Sequence, residues 1–265
     1  MTNFLPRHLF GPWIGITVIL ISLQARPGLA QAQQAHPATS NPPLQNLVEE
    51  FLLSEAVRSE DRGELQFTIG AEGLRHRGID SSLDMEYGIT DRLQFTMETP
   101  YGIQERPQSD ALANWSRVSL GGLYQFIRSN YPFALAAAMA MGVPVNGRGV
   151  RGYQPELLVA KAIGPAQVHF SFIADVTKNQ GNSWEYNAAW VRPIPHGWIA
   201  TFEVNGRRTD GSSGLYFTPG IYRHFHPGIA RRVEVGAGTP SGIGPAASHF
   251  GLAAKITVEF GGKDD

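Results

Sequence analysis

His169 and Ser171 stand two residues apart in the segment AQVHFSFIADVT (166–177). A histidine base beside a serine hydroxyl is the pair that activates an oxygen nucleophile for acyl transfer. On an extended chain, residues i and i+2 share a face. Hydrolysis of a lipid ester would need that face turned toward lipid, where the alternation instead puts Phe170 and Phe172. His224 and His226 share the same spacing and could bind a metal together. They sit beside Pro227 without an evident third ligand, whereas a closed metal site wants four. The run GRGVRG at 147–152 matches G-x-G-x-x-G. A dinucleotide site needs a helix to start there, but Tyr153-Gln154-Pro155 and a further strand pattern follow. H-E-x-x-H, G-x-S-x-G and a Walker loop are all missing. The sequence therefore assigns no catalytic residue, no cofactor and no metal, and expects a chain that is not an enzyme.

What remains is a set of ionisable residues on one face of a period-two pattern. In 65–73, Leu65, Phe67, Ile69 and Ala71 alternate with Gln66, Thr68 and Glu72. In 92–99, Leu93, Phe95 and Met97 alternate with Gln94, Thr96 and Glu98. In 248–260, Phe250, Leu252, Ala254, Ile256, Val258 and Phe260 alternate with His249, Lys255, Thr257 and Glu259. Such alternation marks strands with one apolar and one polar face. Twelve such segments follow one another: 64–73, 79–88, 92–101, 116–128, 132–144, 153–163, 166–177, 183–192, 197–206, 214–224, 230–238 and 247–260. No helical pattern interrupts them, so short links imply an antiparallel meander.

The links sort by length. Those at 89–91, 129–131, 164–165, 193–196 and 225–229 are short. Those at 74–78, 102–115, 145–152, 178–182, 207–213 and 239–247 are longer on the whole and richer in glycine and charge. Turns at one end and loops at the other, with an even strand count, are the habit of bacterial outer-membrane barrels. A membrane-spanning strand needs ~9–11 tilted residues, which these segments supply. Trp184, Tyr186 and Trp190 put aromatics at both ends of one outward face, as interfacial girdles require. Tyr87, Tyr124, Phe126 and Trp198 gather near the short-turn end with the same role, alongside Tyr131 and Phe133. Packing of these aromatics in the core of a soluble sandwich is the competing reading.

With directions assigned from the links, Glu72, Glu98, Glu156, Asp175, Glu185 and Glu203 point inward near the long-loop rim. Asp84, Glu86 and Glu234 lie deeper, and the basic lumen candidates are Arg232 and Lys255, with His169 able to titrate. Arg75, Arg77, Arg106, Arg148, Arg151, Lys178, Arg207 and Arg208 fall on the long loops. Ordinary solvation of a polar barrel interior accounts for such charges as well as selectivity does.

The N-terminal part has another composition. Residues 1–32 carry Arg7 and His8, the apolar run WIGITVILISL and then Ala30-Gln31-Ala32, the layout of a secretory signal peptide cleaved near Ala32. Eleven apolar residues make about 16 Å of helix, too little for a retained spanning anchor. Residues 33–43 read as an extended linker. Leu44, Leu47, Val48, Phe51, Leu52 and Ala56 then fall at helical spacing, which predicts a short amphipathic helix ending by Gly63. That helix lies either in the periplasm or inside the barrel as a plug. The domains are thus 1–32 signal, 33–62 linker and helix, 63–260 barrel and 261–265 polar tail.

Whole-chain composition agrees. Charged residues are 17 % of the 265, glycine numbers 30, and the net charge is −1. This excludes a disordered chain or a coiled coil and offers no drive toward nucleic acid. Without cysteine there is no disulfide, thiolate metal site, thiol nucleophile or lipid-bearing N-terminal cysteine.

The segment YGITDRLQF (87–95), continued by Thr99-Pro100-Tyr101-Gly102, resembles the strand–turn–strand signature of a bacterial outer-membrane barrel family. It is the family named after the MetA pathway of phenol degradation, of transporter type. The later SLGGLYQF (119–126) is similar to that family's next strand. These short motifs carry a resemblance that covers 45–260. It implies an outer-membrane pore or transport role and no established catalytic residue. Here Phe260 is followed by Gly-Gly-Lys-Asp-Asp, a departure from the terminal aromatic common in such barrels.

The sequence thus predicts an all-β transmembrane antiparallel up-and-down barrel of about twelve strands with a short N-terminal helix, in the outer membrane of a Gram-negative-type cell. The expected function is passive diffusion of an unidentified small solute through an acid-lined lumen. A non-conducting barrel that binds an apolar ligand or partner is the alternative, and an outer-membrane lipid hydrolase the third. Expected partners are outer-membrane lipid, lipopolysaccharide and the outer-membrane assembly machinery.

Overall fold

The computed structural model describes residues 43–74, 78–103, 117–129, 131–144, 152–177, 183–209, 212–244 and 250–262. The signal segment, the linker at 33–42, most of the longer links and residues 147–151 of the glycine motif lie outside the described residues.

Thirteen strands form one sheet: β1 (Leu65–Leu74), β2 (Gly78–Thr90), β3 (Leu93–Ile103), β4 (Arg117–Ile127), β5 (Phe133–Pro144), β6 (Gly152–Ile163), β7 (Ala166–Thr177), β8 (Ser183–Ile194), β9 (Trp198–Thr209), β10 (Ser212–Phe225), β11 (Arg232–Gly238), β12 (Ser241–Ile243) and β13 (Gly251–Phe260). Strands β1 to β11 pair antiparallel in chain order, β11 also pairs with β13, and β13 closes onto β1 through ten residue pairs, Leu65↔Phe260 to Leu74↔Gly251. β11 and β12 both pair with β10. They are two pieces of one crossing, broken at Thr239-Pro240, where proline lacks the N–H that the ladder needs. Bonds from Thr239 N to Pro219 O (3.1 Å) and from Gly251 N to Pro240 O (2.8 Å) carry the wall past the break. The result is a closed barrel of twelve crossings.

The period-two faces fall as the sequence requires. Phe170 and Phe172 are about half exposed on the outside, while His169 and Ser171 between them are buried inside. Tyr87, Tyr124, Phe126, Trp184, Tyr186 and Trp190 all lie on the outer face, with Phe172 stacked on Trp184 at 5.5 Å. Trp198 sits at the turn end, under the guanidinium of Arg223 at 5.0 Å. The short turn after β8 is tighter than the sequence suggests. The strand runs through Ile194, and His196 takes a left-handed φ of 68° within Pro195–Gly197.

The outer face of this barrel can be tested by charge. Arginine at Phe170, near mid-strand, is expected to cost about 2–4 kcal/mol in vesicles, and at Val176, near the loop end of β7, about 0–1 kcal/mol. Urea unfolding of both variants measures the difference. Equal costs would mean that β7 does not cross an apolar layer.

One expectation is corrected. Residues 44–60 form no helix: the described chain before β1 is irregular, with a single bridge between Glu50 and Glu55. Its apolar positions are nevertheless buried, against the inner wall of the barrel.

Candidate functional site

The interior segment enters at the turn end, climbs to mid-barrel and returns. Leu44 N donates to Tyr131 O (3.1 Å) and Gln167 Nε2 donates to Gln45 O (2.8 Å), both beside short turns. The apex is the Glu50–Glu55 bridge. The return ends where Gly63 N reaches Gly88 O (2.8 Å) and Gly88 N reaches Glu64 O (3.0 Å). A side chain at Gly88 would strike the carbonyl oxygen of Asp61 at 1.9 Å, so this close approach requires glycine.

Backbone donors decide why the segment is not helical. A helix would satisfy them internally, but here the wall supplies the acceptors. The carboxylate of Glu203 accepts from both Leu52 N and Leu53 N, each at 2.9 Å. Glu234 accepts from Glu49 N at 3.3 Å, and Gln94 Oε1 accepts from Glu60 N at 2.8 Å. Packing adds to this. Leu47, Val48, Phe51, Leu52 and Ala56 bury against Ala189, Val191, Ile199, Tyr222 and Ala253. Leu44 and Val57 bury against Leu123, Leu158 and the alanines of β5 and β6. Leu52 fits a slot where the paired glycines Gly220 and Gly238 carry no side chain. A Cβ on Gly238 would lie 2.4 Å from its Cδ1.

Charged pairs hold the two limbs. Arg232 binds Glu49 and donates to Glu259 at 2.6 Å. Lys255 Nζ donates to Glu50 (2.7 Å) and to Phe51 O (2.5 Å). His224 Nε2 bonds Glu234 at 2.7 Å, so this histidine is engaged with a carboxylate. Among the described residues no group of three or more His, Asp or Glu is placed to hold a metal ion. At the turn end Arg231 meets Glu64 at 2.9 Å and Asp61 at 3.7 Å.

Burial, followed by the neighbouring Glu86, Glu64 and Glu259, pushes the Glu60 carboxyl well above the ordinary glutamate range, with Arg58 opposing. Burial also raises Glu64, against its bond from Asp61 and the pull of Arg231. A carboxyl with a raised value in the docked state binds more protons docked than released. Docking is then firmest below the ordinary glutamate value and weakens as pH rises through the raised one. Protease nicking within 44–63 of the folded barrel is therefore expected to increase from pH 5 to pH 8. An opposite trend would show that other groups govern docking.

Beyond the apex, toward the long-loop end, the interior is open. A cavity of about 300 Å³ is lined by Glu50, Glu55, Asp84, Glu86, Glu98, Glu156, Glu185 and Lys255 together with Met, Ala, Ile and small polar residues. A second, of about 260 Å³, is lined by Glu72, Asp80, Glu185, Asn187, Asn205, Arg207 and Tyr216 among others. Asp175 accepts from Gln154 at 3.3 Å, and Glu185 pairs with Arg207 at 3.1 Å. His169 packs edge-on against Phe51 at 4.9 Å and bonds Gln167, while Ser171 accepts from Asn187, so the two candidate catalytic groups serve different partners.

One position is corrected. Glu203 is not at the rim: it is fully buried under the interior segment and committed to two amides. Residues that sequence reasoning missed are Glu49, Glu50, Glu55 and Glu60 on the segment, and on the wall Gln94, which accepts from Glu60 N, with Gln125 and Gln167, which donate to Val57 O and Gln45 O. Their only signal was a polar residue on the inner face close to a short turn.

The barrel superposes on an outer membrane channel from Pseudomonas putida F1 with a TM-score of 0.57 at 14 % identity, covering 77 % of this chain and 98 % of that one. It superposes on the NanC porin with a TM-score of 0.50 at 12 % identity, covering 74 % and 99 %. The fold is that of an outer-membrane channel barrel. No protein-family model and no characterised sequence matches the chain.

Proposed function

We propose that the exported chain is an outer-membrane channel for small solutes, closed in its turn-end half by residues 44–63 and acid-lined in its loop-end half. The turn end faces the periplasm and the loop end faces lipopolysaccharide. One observation carries this reading. A closed wall of twelve crossings exposes apolar side chains outside and encloses ionisable ones around a cavity of about 300 Å³. Such an interior is useful to a passing solute and has no use in a sandwich core. The motifs at 87–102 and 119–126 support a relation to the MetA-pathway transporter family. No catalytic step is assigned, because the conspicuous base and hydroxyl, His169 and Ser171, are each bound elsewhere.

The alternative of a non-conducting barrel draws on the same interior segment, which fills the turn-end half through two apolar clusters. Conductance separates the two readings. The full chain, refolded and placed in a planar bilayer, is expected to give brief small openings over a closed baseline. In cells the protein should fractionate with outer membranes without residues 1–32 and show heat-modifiable mobility. A soluble periplasmic pool that needs no detergent would remove the reading.

A further inference from the structure

Two carboxylates of the larger cavity, Glu156 and Asp84, each keep a buried oxygen without a hydrogen-bond partner, and Glu156 lies beside an aliphatic strip. Glu156 is only 9 % exposed, and its Oε1 is the oxygen left without a partner. Its carboxyl is met by the Ser171 hydroxyl and by Glu55. Its cross-strand neighbours, Ala138 on one side and Ile173 on the other, carry no polar atom that could serve Oε1 as well. Other carboxylates nearby are engaged: Gln66 donates to Glu86 at 2.9 Å, Arg207 to Glu185 at 3.1 Å, and Ser82 to one oxygen of Asp84 at 3.0 Å. Lys255, the one basic residue on this wall, is held by Glu50 and Phe51 O.

Glu55, at the apex of the interior segment, is in hydrogen-bonding contact with Glu156. Two carboxyl groups in contact need a proton or a cation between them. Glu55 is exposed to the cavity, where Glu156, Glu86, Glu50 and Glu98 are its charged neighbours. The same wall offers Leu53, Ala138, Ala140 and Ile173, an aliphatic strip beside the unpartnered oxygen. No metal-ligating group of three or more is present among the described residues, which favours a cation that carries its own apolar body.

We propose that this cavity is a binding site for a small organic cation, with Glu156 and Glu55 accepting from its ammonium group and Ala138, Ile173 and Leu53 packing on its aliphatic stem. An N–H donor satisfies a buried carboxylate oxygen through a charge-assisted bond, stronger than a neutral one. A volume of about 300 Å³ is at the small end of ligand pockets, which suits a short amine rather than a sugar chain. The site names a solute class for the channel and rests on that reading for its route of entry.

The test is calorimetric titration of 1-aminobutane into the refolded full-length barrel in zwitterionic detergent, beside butanoate and 1-butanol of matched shape. Saturable binding of the amine alone is expected. Glu156→Gln should weaken it roughly tenfold or more, as loss of one bond to a charged group does. Ile173→Gln offers Glu156 an amide donor of its own and should weaken binding too. It keeps the test decisive if Glu156→Gln fails to give a heat-modifiable folded band. Equal binding of amine and butanol, or amine binding unchanged in both variants, overturns the site. Binding is read without current, so a barrel that conducts but ignores the amine loses this inference alone. One that binds the amine but never conducts keeps it and loses the channel.

Discussion

Removal of residues 33–62 is expected to turn a barrel that opens briefly into one that conducts steadily. Residues 44–62 of this segment fill the turn-end half of the interior, so its loss leaves a continuous bore walled there by apolar as well as polar side chains. The bore would run from the loop-end cavity past Glu203, Glu234 and Lys255 to the short turns. The deletion also carries a stability cost. Ala189, Val191, Ile199, Tyr222 and Ala253 lose the leucines and Phe51 that cover them, and each large apolar side chain withdrawn from burial is worth about 1.5–3 kcal/mol. A lower unfolding midpoint with higher current is the joint signature.

A single substitution should reproduce part of it. Glu203→Gln keeps shape but replaces one of two acceptor oxygens with an amide donor that faces the N–H of Leu52 or Leu53. A lost bond to a charged group is worth about 1.5–3 kcal/mol, which shifts the open-to-closed ratio roughly ten- to a hundredfold. Planar-bilayer recordings of wild type, Glu203→Gln and the deletion should rank in that order of open time. A folded deletion variant that stays silent would show that residues 44–63 are not what closes the barrel.

The sequence displayed the wall far better than its contents. Period-two alternation at Phe170, Phe172 and their neighbours set the facing of β7, because a slip of one residue would have turned every phenylalanine into the lumen. The sorting of short and long links did the same for strand order. The interior segment was legible only as an apolar pattern. Leu44, Leu47, Val48, Phe51 and Leu52 fall at helical spacing, and that spacing marks which side chains are buried without fixing the backbone that buries them. The acceptors that overrule a helix, Glu203, Glu234 and Gln94, lie between 34 and 185 residues away along the chain. No local pattern could announce them. The same distance hid the pairing of Gly220 with Gly238 that makes room for Leu52. Inward facing of Glu203 was readable from parity. Its commitment to two amides was not.

Those commitments sharpen the expected selectivity. The deep ions are consumed by the interior segment: Arg232 with Glu49, Lys255 with Glu50, Glu203 and Glu234 with amides. The cavity walls toward the loop end keep Glu72, Asp80, Asp84, Glu98, Glu156 and Glu185, against Arg207 and the engaged Lys255. Walls of low dielectric focus the field of these carboxylates along the bore, so cations concentrate there and anions are repelled. The zero-current potential across a salt gradient should therefore have the sign of cation preference. It should shrink as ionic strength rises from ~0.01 M to ~1 M, where the screening length falls from ~30 Å to ~3 Å. Changing Glu98, Glu156 and Glu185 together to Gln removes up to three negative charges. It also releases Arg207, now 3.1 Å from Glu185, to act as an uncompensated cation. The shift toward anions should then exceed what loss of the carboxylates alone would give, and restoring Glu185 in that variant should recover the part due to Arg207. Anion preference in the wild type, or a triple variant with an unmoved potential, would place the selective step elsewhere than in this cavity.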